Sequence, residues 1–119
     1  MKPLFICYSK CTTCQKARKW LDEQQIEYTE RPIKEQNPTA EELRSWQRIS
    51  GLPLQKFFNT SGMLYRELNL KDRLPRMTAD EMLALLASDG MLVKRPLLIT
   101  DRAALAGFRA ESWAKALEK

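Results

Sequence analysis

The chain has 119 residues, 44% of them hydrophobic and 29% charged, with a net charge of +5 and no histidine. That length predicts a single domain over residues 1–119 with one core, and that composition is typical of a globular protein rather than a disordered one. The lack of histidine excludes Cys-His and Ser-His-Asp relays and Cys2His2 zinc sites, which leaves cysteine chemistry assisted by cations.

No apolar run reaches the roughly 20 residues that a membrane helix needs, and the run before Ser9 is too short for a secretory signal. We therefore expect a cytoplasmic protein that does not contact a membrane and whose thiols stay reduced. The positive charge favours anionic ligands. Because basic residues are interleaved with acidic ones and no basic face carries aromatic partners, direct binding to nucleic acid is not expected.

The first third of the chain predicts a strand, a helix and a second strand. Residues 3–8 are a short run of bulky apolar side chains, typical of a buried strand. Residues 12–24 carry apolar side chains at helical spacing and charged ones on the other faces, which predicts an amphipathic helix. Residues 26–31 alternate between apolar and polar types, and this predicts a second strand that Pro32 stops.

Two capping boxes indicate later helices. Thr39 with Glu42 predicts a helix that runs to about Gly51, and Thr78 with Glu81 predicts another that ends at Asp89-Gly90. The buried side of the first is expected to consist of Leu43, Trp46 and Ile49. The apolar positions of the second are Met82, Leu83, Leu85 and Leu86.

The remaining segments complete an α/β order. Residues 52–77 contain two prolines and a polar turn, which predicts short helical pieces and loops. Residues 92–100 are rich in strand formers but are interrupted by Pro96. Residues 105–108 predict a brief last strand, and residues 110–117 a terminal amphipathic helix. The order β-α-β-α-α-β-β-α predicts an α/β protein with a thioredoxin-like fold, a mixed sheet flanked by helices.

The predicted working site is the dithiol Cys11-Thr12-Thr13-Cys14, at the turn from the first strand into the first helix. The helix macrodipole and the free N–H groups of the first turn favour a thiolate there, and Lys10 adds a positive charge. Cys11 is predicted to be the nucleophile and Cys14, one turn into the helix, the residue that resolves a mixed disulfide. The alternative is a pair of unreactive thiols, because Cys14 lies on the apolar stripe of the helix.

Cys7 falls in a predicted buried strand, where a cysteine is expected to behave as a small hydrophobe. Together the three cysteines spell C-x3-C-x2-C, which is similar to the cluster-binding spacing of radical SAM enzymes. The chain is short for such an enzyme, and no fourth cysteine or histidine is present to close a zinc site. Neither a metal nor a bound cofactor is therefore expected.

Arginines near the dithiol would bind an oxyanion or a carboxylate in bidentate geometry. Arg95, which precedes Pro96, is the first candidate, and a cis peptide between them is expected because a thioredoxin-like site has a cis proline opposite the dithiol. For Arg109 and Arg102, a solvated surface charge is at least as good an interpretation of the spacing alone.

Three motifs carry a family resemblance. Cys11-Thr12-Thr13-Cys14, Arg95-Pro96 and Gly107-Phe108-Arg109, in this order, resemble the arsenate reductase (ArsC)/Spx family, and the resemblance extends from Leu4 to Leu117. The segments 51–52, 57–62 and 65–68 resemble its small YusI-like bacterial branch.

The resemblance implies a thioredoxin fold with an inserted helical segment at about residues 38–89. It places Cys11 at the position of the reductase nucleophile and Arg95 and Arg109 at two of three anion-binding arginines. Asn59 stands at the third position, so one positive charge is missing and weak arsenate reduction is expected.

The implied activity is that of a thiol-disulfide oxidoreductase of arsenate-reductase type, an enzyme acting on a small oxyanion or a disulfide. Glutathione or another low-molecular-weight thiol would be the co-substrate, and glutaredoxin or thioredoxin a partner. The anion- and substrate-binding residues would be Lys10, Thr12, Thr13, Asn59, Arg95, Pro96 and Arg109.

The alternative is an Spx-like redox-sensing transcriptional regulator that binds the RNA polymerase α subunit. Cys14 favours this alternative, because the glutaredoxin-coupled reductases lack a cysteine at that position whereas the C-x-x-C of Spx is a redox switch.

Overall fold

The structure, a computed structural model, describes residues 2–118 and is built on a mixed sheet of four strands. The strands are β1 (Leu4–Cys7), β2 (Thr29–Pro32), β3 (Leu97–Ile99) and β4 (Ala104–Ala106). Their spatial order is β2-β1-β3-β4. β1 pairs in parallel with β2 and antiparallel with β3, which in turn pairs antiparallel with β4.

Helices cover both faces of the sheet. They are α1 (Thr12–Glu23), α2 (Ala40–Ser50), α3 (Met63–Glu67), α4 (Leu70–Arg73), α5 (Ala79–Ser88) and α6 (Ala110–Ala116), with 3₁₀ turns at Leu54–Phe57, Leu74–Arg76 and Gly90–Leu92. The arrangement confirms the predicted α/β class and thioredoxin-like fold. Within the described residues, no helix combines the length and the apolar character needed to cross a membrane.

The side chains of β1 alternate between the two faces of the sheet and contribute to two separate clusters of the core. Phe5 and Cys7 pack on one face against α1 and Trp113 of α6, whereas Ile6 packs on the other face against side chains of α2 and α5. Side chains of successive strand residues point to opposite faces, so one short strand contributes to both cores. β1 thereby fixes the position of the turn that follows it.

β2 differs from its prediction. It begins at Thr29 rather than residue 26, because α1 ends in a turn in which Ile26 donates its N–H to the Leu21 carbonyl at 3.1 Å. It also includes Pro32, which was expected to stop it. β2 lies at the edge of the sheet, where a strand tolerates a residue without an N–H.

Both capping boxes form as predicted. Thr39 Oγ1 accepts the Glu42 N–H at 3.1 Å, and Thr78 Oγ1 accepts the Glu81 N–H at 3.1 Å. The expected buried stripe of α2 is wrong at Ile49, which is 41% exposed. At 100° per residue, Ile49 lies about 120° around the helix from Leu43 and so reaches the solvent side.

The segment before α3 pairs with the segment before the cis proline. Phe58 forms an antiparallel bridge with Val93, the Asn59 N–H donates to the Leu92 carbonyl at 2.8 Å, and the Lys94 N–H donates to the Phe57 carbonyl at 2.7 Å. This pairing brings residue 59 close to residue 95 across the long helical region between β2 and β3.

The end of the chain departs from prediction in its boundaries. Of residues 92–100, only 97–99 form a regular strand, and the Arg95–Pro96 peptide is cis, as expected. The last strand covers residues 104–106 instead of 105–108. Gly107 ends it with a φ of +84°, a left-handed conformation that glycine adopts without steric cost.

Candidate redox and anion-binding site

A cavity of about 380 Å³ opens beside the start of α1. Its lining includes the thiol of Cys11, the polar side chains of Thr13, Asn59 and Ser61, and the basic side chains of Lys94, Arg95 and Arg109. Gly62, Ala106, Gly107 and Phe108 complete the lining. None of these described residues is acidic, so the cavity has a positive potential that favours an anionic ligand.

Cys11 occupies the N-cap position of α1, with an extended backbone. Its N–H donates to the Tyr8 carbonyl at 3.0 Å, which closes the turn out of β1, and its own carbonyl accepts the Gln15 N–H at 3.0 Å. The residue is partly exposed and lines the cavity. Free N–H groups of the helix start therefore surround it, as the sequence predicts.

The pKa of Cys11 lies below its ordinary value. Burial by itself raises it, but hydrogen bonds from the Cys14 backbone N–H and the Cys14 thiol, an interaction with the Arg95 guanidinium and a hydrogen bond from the Thr13 N–H together outweigh burial. Lys10 is exposed and does not line the cavity. Arg95, 84 residues farther along the chain, supplies the cation that Lys10 was expected to supply.

Cys14 lies beneath Cys11, fully buried in the core between α1, β1 and α6. Its sulfur accepts a hydrogen bond from the Tyr8 N–H at 3.3 Å. The pKa of this thiol is raised to about 12, mainly by burial and additionally by the neighbouring Cys11, while the Tyr8 hydrogen bond acts in the opposite direction. The two thiols of the motif thus differ strongly in acidity, with Cys11 the more acidic.

Cys7 is buried in the same core, in line with the expectation of a small hydrophobe. It also accepts a hydrogen bond from Arg18 Nη2 at 3.4 Å, and the same guanidinium forms an ion pair with Glu30 at 3.0 Å. Burial raises the pKa of Cys7. Sequence reasoning did not single out Arg18, since its position on α1 has no distinguishing pattern.

Arg95 is a half-buried cation of the site. Its Nε and Nη1 atoms are buried and have no hydrogen-bond partner among the described residues. Its Cζ lies 5.0 Å from the centroid of the Tyr8 ring, a cation–π contact that holds the guanidinium in place. Because buried donors are normally paired, these two atoms retain hydrogen-bonding capacity that none of the described residues uses.

The other predicted site residues fall in different places. Arg109 lines the cavity from the N-cap position of α6, whereas Arg102 is exposed and outside it. Thr12 is exposed and does not line the cavity. Pro96 is buried, and its carbonyl accepts the Gly107 N–H at 2.8 Å, so it shapes the cavity without lining it.

Sequence reasoning assigned no role to Lys94, Ser61 or Gly62. Lys94 could have been noticed as the second basic residue of Lys94-Arg95, and the other two lie within a segment that already carried the family resemblance. Among residues 2–118, the structure brings together no group of three or more potential metal ligands.

The sheet order, the cis proline and the dithiol at the start of α1 define a thioredoxin-like protein with a Cys-x-x-Cys site. A sequence model described as the ArsC family matches residues 7–116. The chain belongs to the ArsC family.

Curated relatives include one uncharacterized protein and several regulators. The uncharacterized protein YusI of Bacillus subtilis is 53% identical over 118 residues, which cover 96% of this chain and 100% of YusI. Regulatory protein MgsR of B. subtilis is 32% identical, with 87% and 81% coverage. Global transcriptional regulator Spx 2 of Bacillus anthracis is 27% identical, with 93% and 83% coverage.

Solved structures agree with this assignment. A crystal structure described as an ArsC family related protein from Bacteroides fragilis matches with a TM-score of 0.94 and 58% identity, over 97% of both chains. A possible arsenate reductase from Streptococcus mutans matches with a TM-score of 0.86 and 45% identity, over 94% of this chain and 97% of the other. The predicted resemblance to the ArsC/Spx family is confirmed.

Proposed function

We propose that the protein is a cytoplasmic thiol-disulfide oxidoreductase of arsenate-reductase type. The observation that carries the proposal is Cys11, a partly exposed thiol of lowered pKa on a cavity lined by Lys94, Arg95 and Arg109. The thiolate is the form of cysteine that attacks a disulfide or an oxyanion, and the cations stabilise an anionic substrate next to it.

In the proposed reaction, the Cys11 thiolate attacks one sulfur of a disulfide R–S–S–R′. A mixed disulfide Cys11–S–S–R forms and R′–S⁻ leaves. Cys14 loses its proton and attacks the Cys11 sulfur, R–S⁻ leaves, and a Cys11–Cys14 disulfide remains. Two molecules of glutathione or another low-molecular-weight thiol, or one glutaredoxin or thioredoxin dithiol, reduce that disulfide and are themselves oxidised, so no bound cofactor is needed.

The low acidity of Cys14 is expected to limit the rate of the second step, the attack of Cys14 on the mixed disulfide. Its pKa is raised to about 12, mainly by burial, so little thiolate is present at neutral pH. Formation of the mixed disulfide removes the charge of Cys11, which contributes to that raised pKa, but burial remains. The mixed disulfide on Cys11 is therefore expected to persist long enough to be detected.

Intact mass after mild peroxide treatment tests the proposal. Without glutathione, the oxidised Cys11 is expected to condense with Cys14, and the protein loses two hydrogens. With glutathione, a glutathione adduct on Cys11 is expected. Cys14→Ser should keep the adduct and abolish the loss of two hydrogens. Oxidation confined to Cys7, with Cys11 unmodified, would contradict the proposal.

A second candidate is an Spx-like redox-sensing regulator that binds the RNA polymerase α subunit. The similarity to MgsR and Spx 2, together with the Cys-x-x-Cys pair, favours it. The regulator should co-purify with the α subunit from its host, to a degree that changes when the dithiol is oxidised. The enzyme should instead reduce many equivalents of disulfide and show no such association.

A further inference from the structure

Lys94 is a lining residue of the cavity whose backbone is already held in place. Its N–H donates to the Phe57 carbonyl at 2.7 Å, and the next residue begins the cis peptide. The side chain is half-buried, lines the cavity and, among the described residues, has no carboxylate within ion-pair distance. Its ammonium group is therefore free to bind a ligand.

Because Gly107 has no side chain, it leaves space for the side chain of Lys94. A Cβ at position 107 would lie 3.0 Å from Lys94 Cε and 4.0 Å from Nζ, so the end of the lysine passes directly over the glycine backbone. The Gly107 N–H is fixed on the Pro96 carbonyl at 2.8 Å, and its φ of +84° favours glycine independently. The close approach places the ammonium over the short segment that links β4 to Arg109.

The size and charge of the cavity indicate what it holds. Lys94, Arg95 and Arg109 supply three positive charges, and the buried Nε and Nη1 of Arg95 have no partner among the described residues. A volume of about 380 Å³ falls within the range of sites for organic ligands, about 300–1,000 Å³. A bare tetrahedral oxyanion on Arg95 would leave much of the cavity, including the Lys94 side, to solvent.

We propose that Lys94 is a specificity-determining residue that binds an anionic group on the thiol part of a disulfide substrate while Cys11 attacks the sulfur. The substrate class is anionic low-molecular-weight disulfides. This inference rests on the disulfide-reducing function proposed above. As Cys11 bonds to the sulfur of the bound half, the substrate S–S bond breaks and the other half leaves as a thiolate.

The test compares an anionic with a neutral disulfide. Reduction of glutathione disulfide and of bis(2-hydroxyethyl) disulfide is measured for the full chain, for Lys94→Met and for Lys94→Arg, with a thioredoxin dithiol as the reductant that regenerates the protein and with the rate in the absence of the protein subtracted. Lys94→Met should lower kcat/KM for glutathione disulfide about tenfold, equivalent to about 1.4 kcal/mol, and leave the neutral disulfide within about twofold. Lys94→Arg should restore most of the loss, and added salt should narrow the difference between the proteins.

Lys56→Met is the matched control, because it removes the same charge from an exposed side chain outside the cavity. It should leave both reactions unchanged. Equal loss for the two disulfides in Lys94→Met, or no loss for either, would overturn the inference while the disulfide-reducing function stands.

A binding measurement separates the two proposals. If the unaltered chain reduces neither disulfide, the proposed function fails. The role of Lys94 in binding is then tested by calorimetric titration of the reduced protein with S-methylglutathione, a thioether that cannot undergo thiol-disulfide exchange. The inference predicts binding that Lys94→Met weakens about tenfold. Binding that is absent, or unaffected by Lys94→Met, would overturn it.

Discussion

At pH 7, Cys11 is expected to react with iodoacetamide at least about fiftyfold faster than Cys14. The pKa of Cys14 is raised to about 12, mainly by burial, whereas that of Cys11 lies below 9.0, so their thiolate fractions differ by at least about a thousandfold. The more basic Cys14 thiolate is intrinsically the better nucleophile, and this offsets about twentyfold of the difference in thiolate fraction. Burial of Cys14 slows it further, since iodoacetamide must reach the sulfur. Peptide mass mapping over time measures both rates.

The pH dependence of the reaction with iodoacetamide shows whether the difference in thiol acidity causes the difference in rate. The midpoint of the Cys11 rate should lie below the ordinary pKa of a cysteine, whereas the rate at Cys14 should continue to rise toward pH 12. Arg95→Met should move the Cys11 midpoint to higher pH, because the guanidinium lowers that pKa. Arg102→Met, which removes an exposed arginine outside the cavity, should not. A shared midpoint for the two cysteines would show that our assignment of nucleophile is wrong.

Arsenate reduction by the unaltered chain is expected to be weak, and Asn59→Arg should raise it about tenfold to a hundredfold. Asn59 lines the cavity and can donate a hydrogen bond, but it carries no charge. A hydrogen bond to a charged group contributes roughly 1.5–3 kcal/mol, which gives that range of rates if it forms mainly in the transition state. Arsenite release with glutathione and glutaredoxin present is the measurement.

Thr60→Arg is the control for added charge, because Thr60 is the exposed neighbour of Asn59 and does not line the cavity. It should have little effect on arsenate. If the unaltered chain turns over arsenate efficiently, or if Thr60→Arg activates as much as Asn59→Arg, the missing charge at position 59 is not what limits the reaction.

Features set by local interactions were predictable from the sequence. The capping boxes at Thr39 and Thr78 bring donor and acceptor together within one helical turn, so a short pattern is enough to place both helix starts. The same holds for Cys11, whose position follows directly from the end of β1 and the start of α1. The dithiol could therefore be identified without any knowledge of tertiary contacts.

Features set by distant pairing were not predictable in the same way. Lys10 adjoins Cys11 in sequence but turns out to be exposed, whereas Lys94 reaches the cavity because residues 57–59 pair with residues 92–94. Pro32 belongs to β2 because that strand lies at the sheet edge, a fact that its own sequence does not contain. The basic half of the site thus depends on contacts between segments far apart in the chain.

Tryptophan fluorescence is expected to report ligand binding, because an aromatic cluster of Trp20, Phe108 and Trp113 lies behind the cavity. Phe108 lines the cavity, and its ring centroid lies 5.0 Å from that of Trp113 and 5.9 Å from that of Trp20. A ligand that displaces Phe108 must change the surroundings of both indoles and therefore their fluorescence. Trp46 is buried in the other core, on the opposite face of the sheet, so Trp46→Phe would leave only tryptophan emission that originates beside the site.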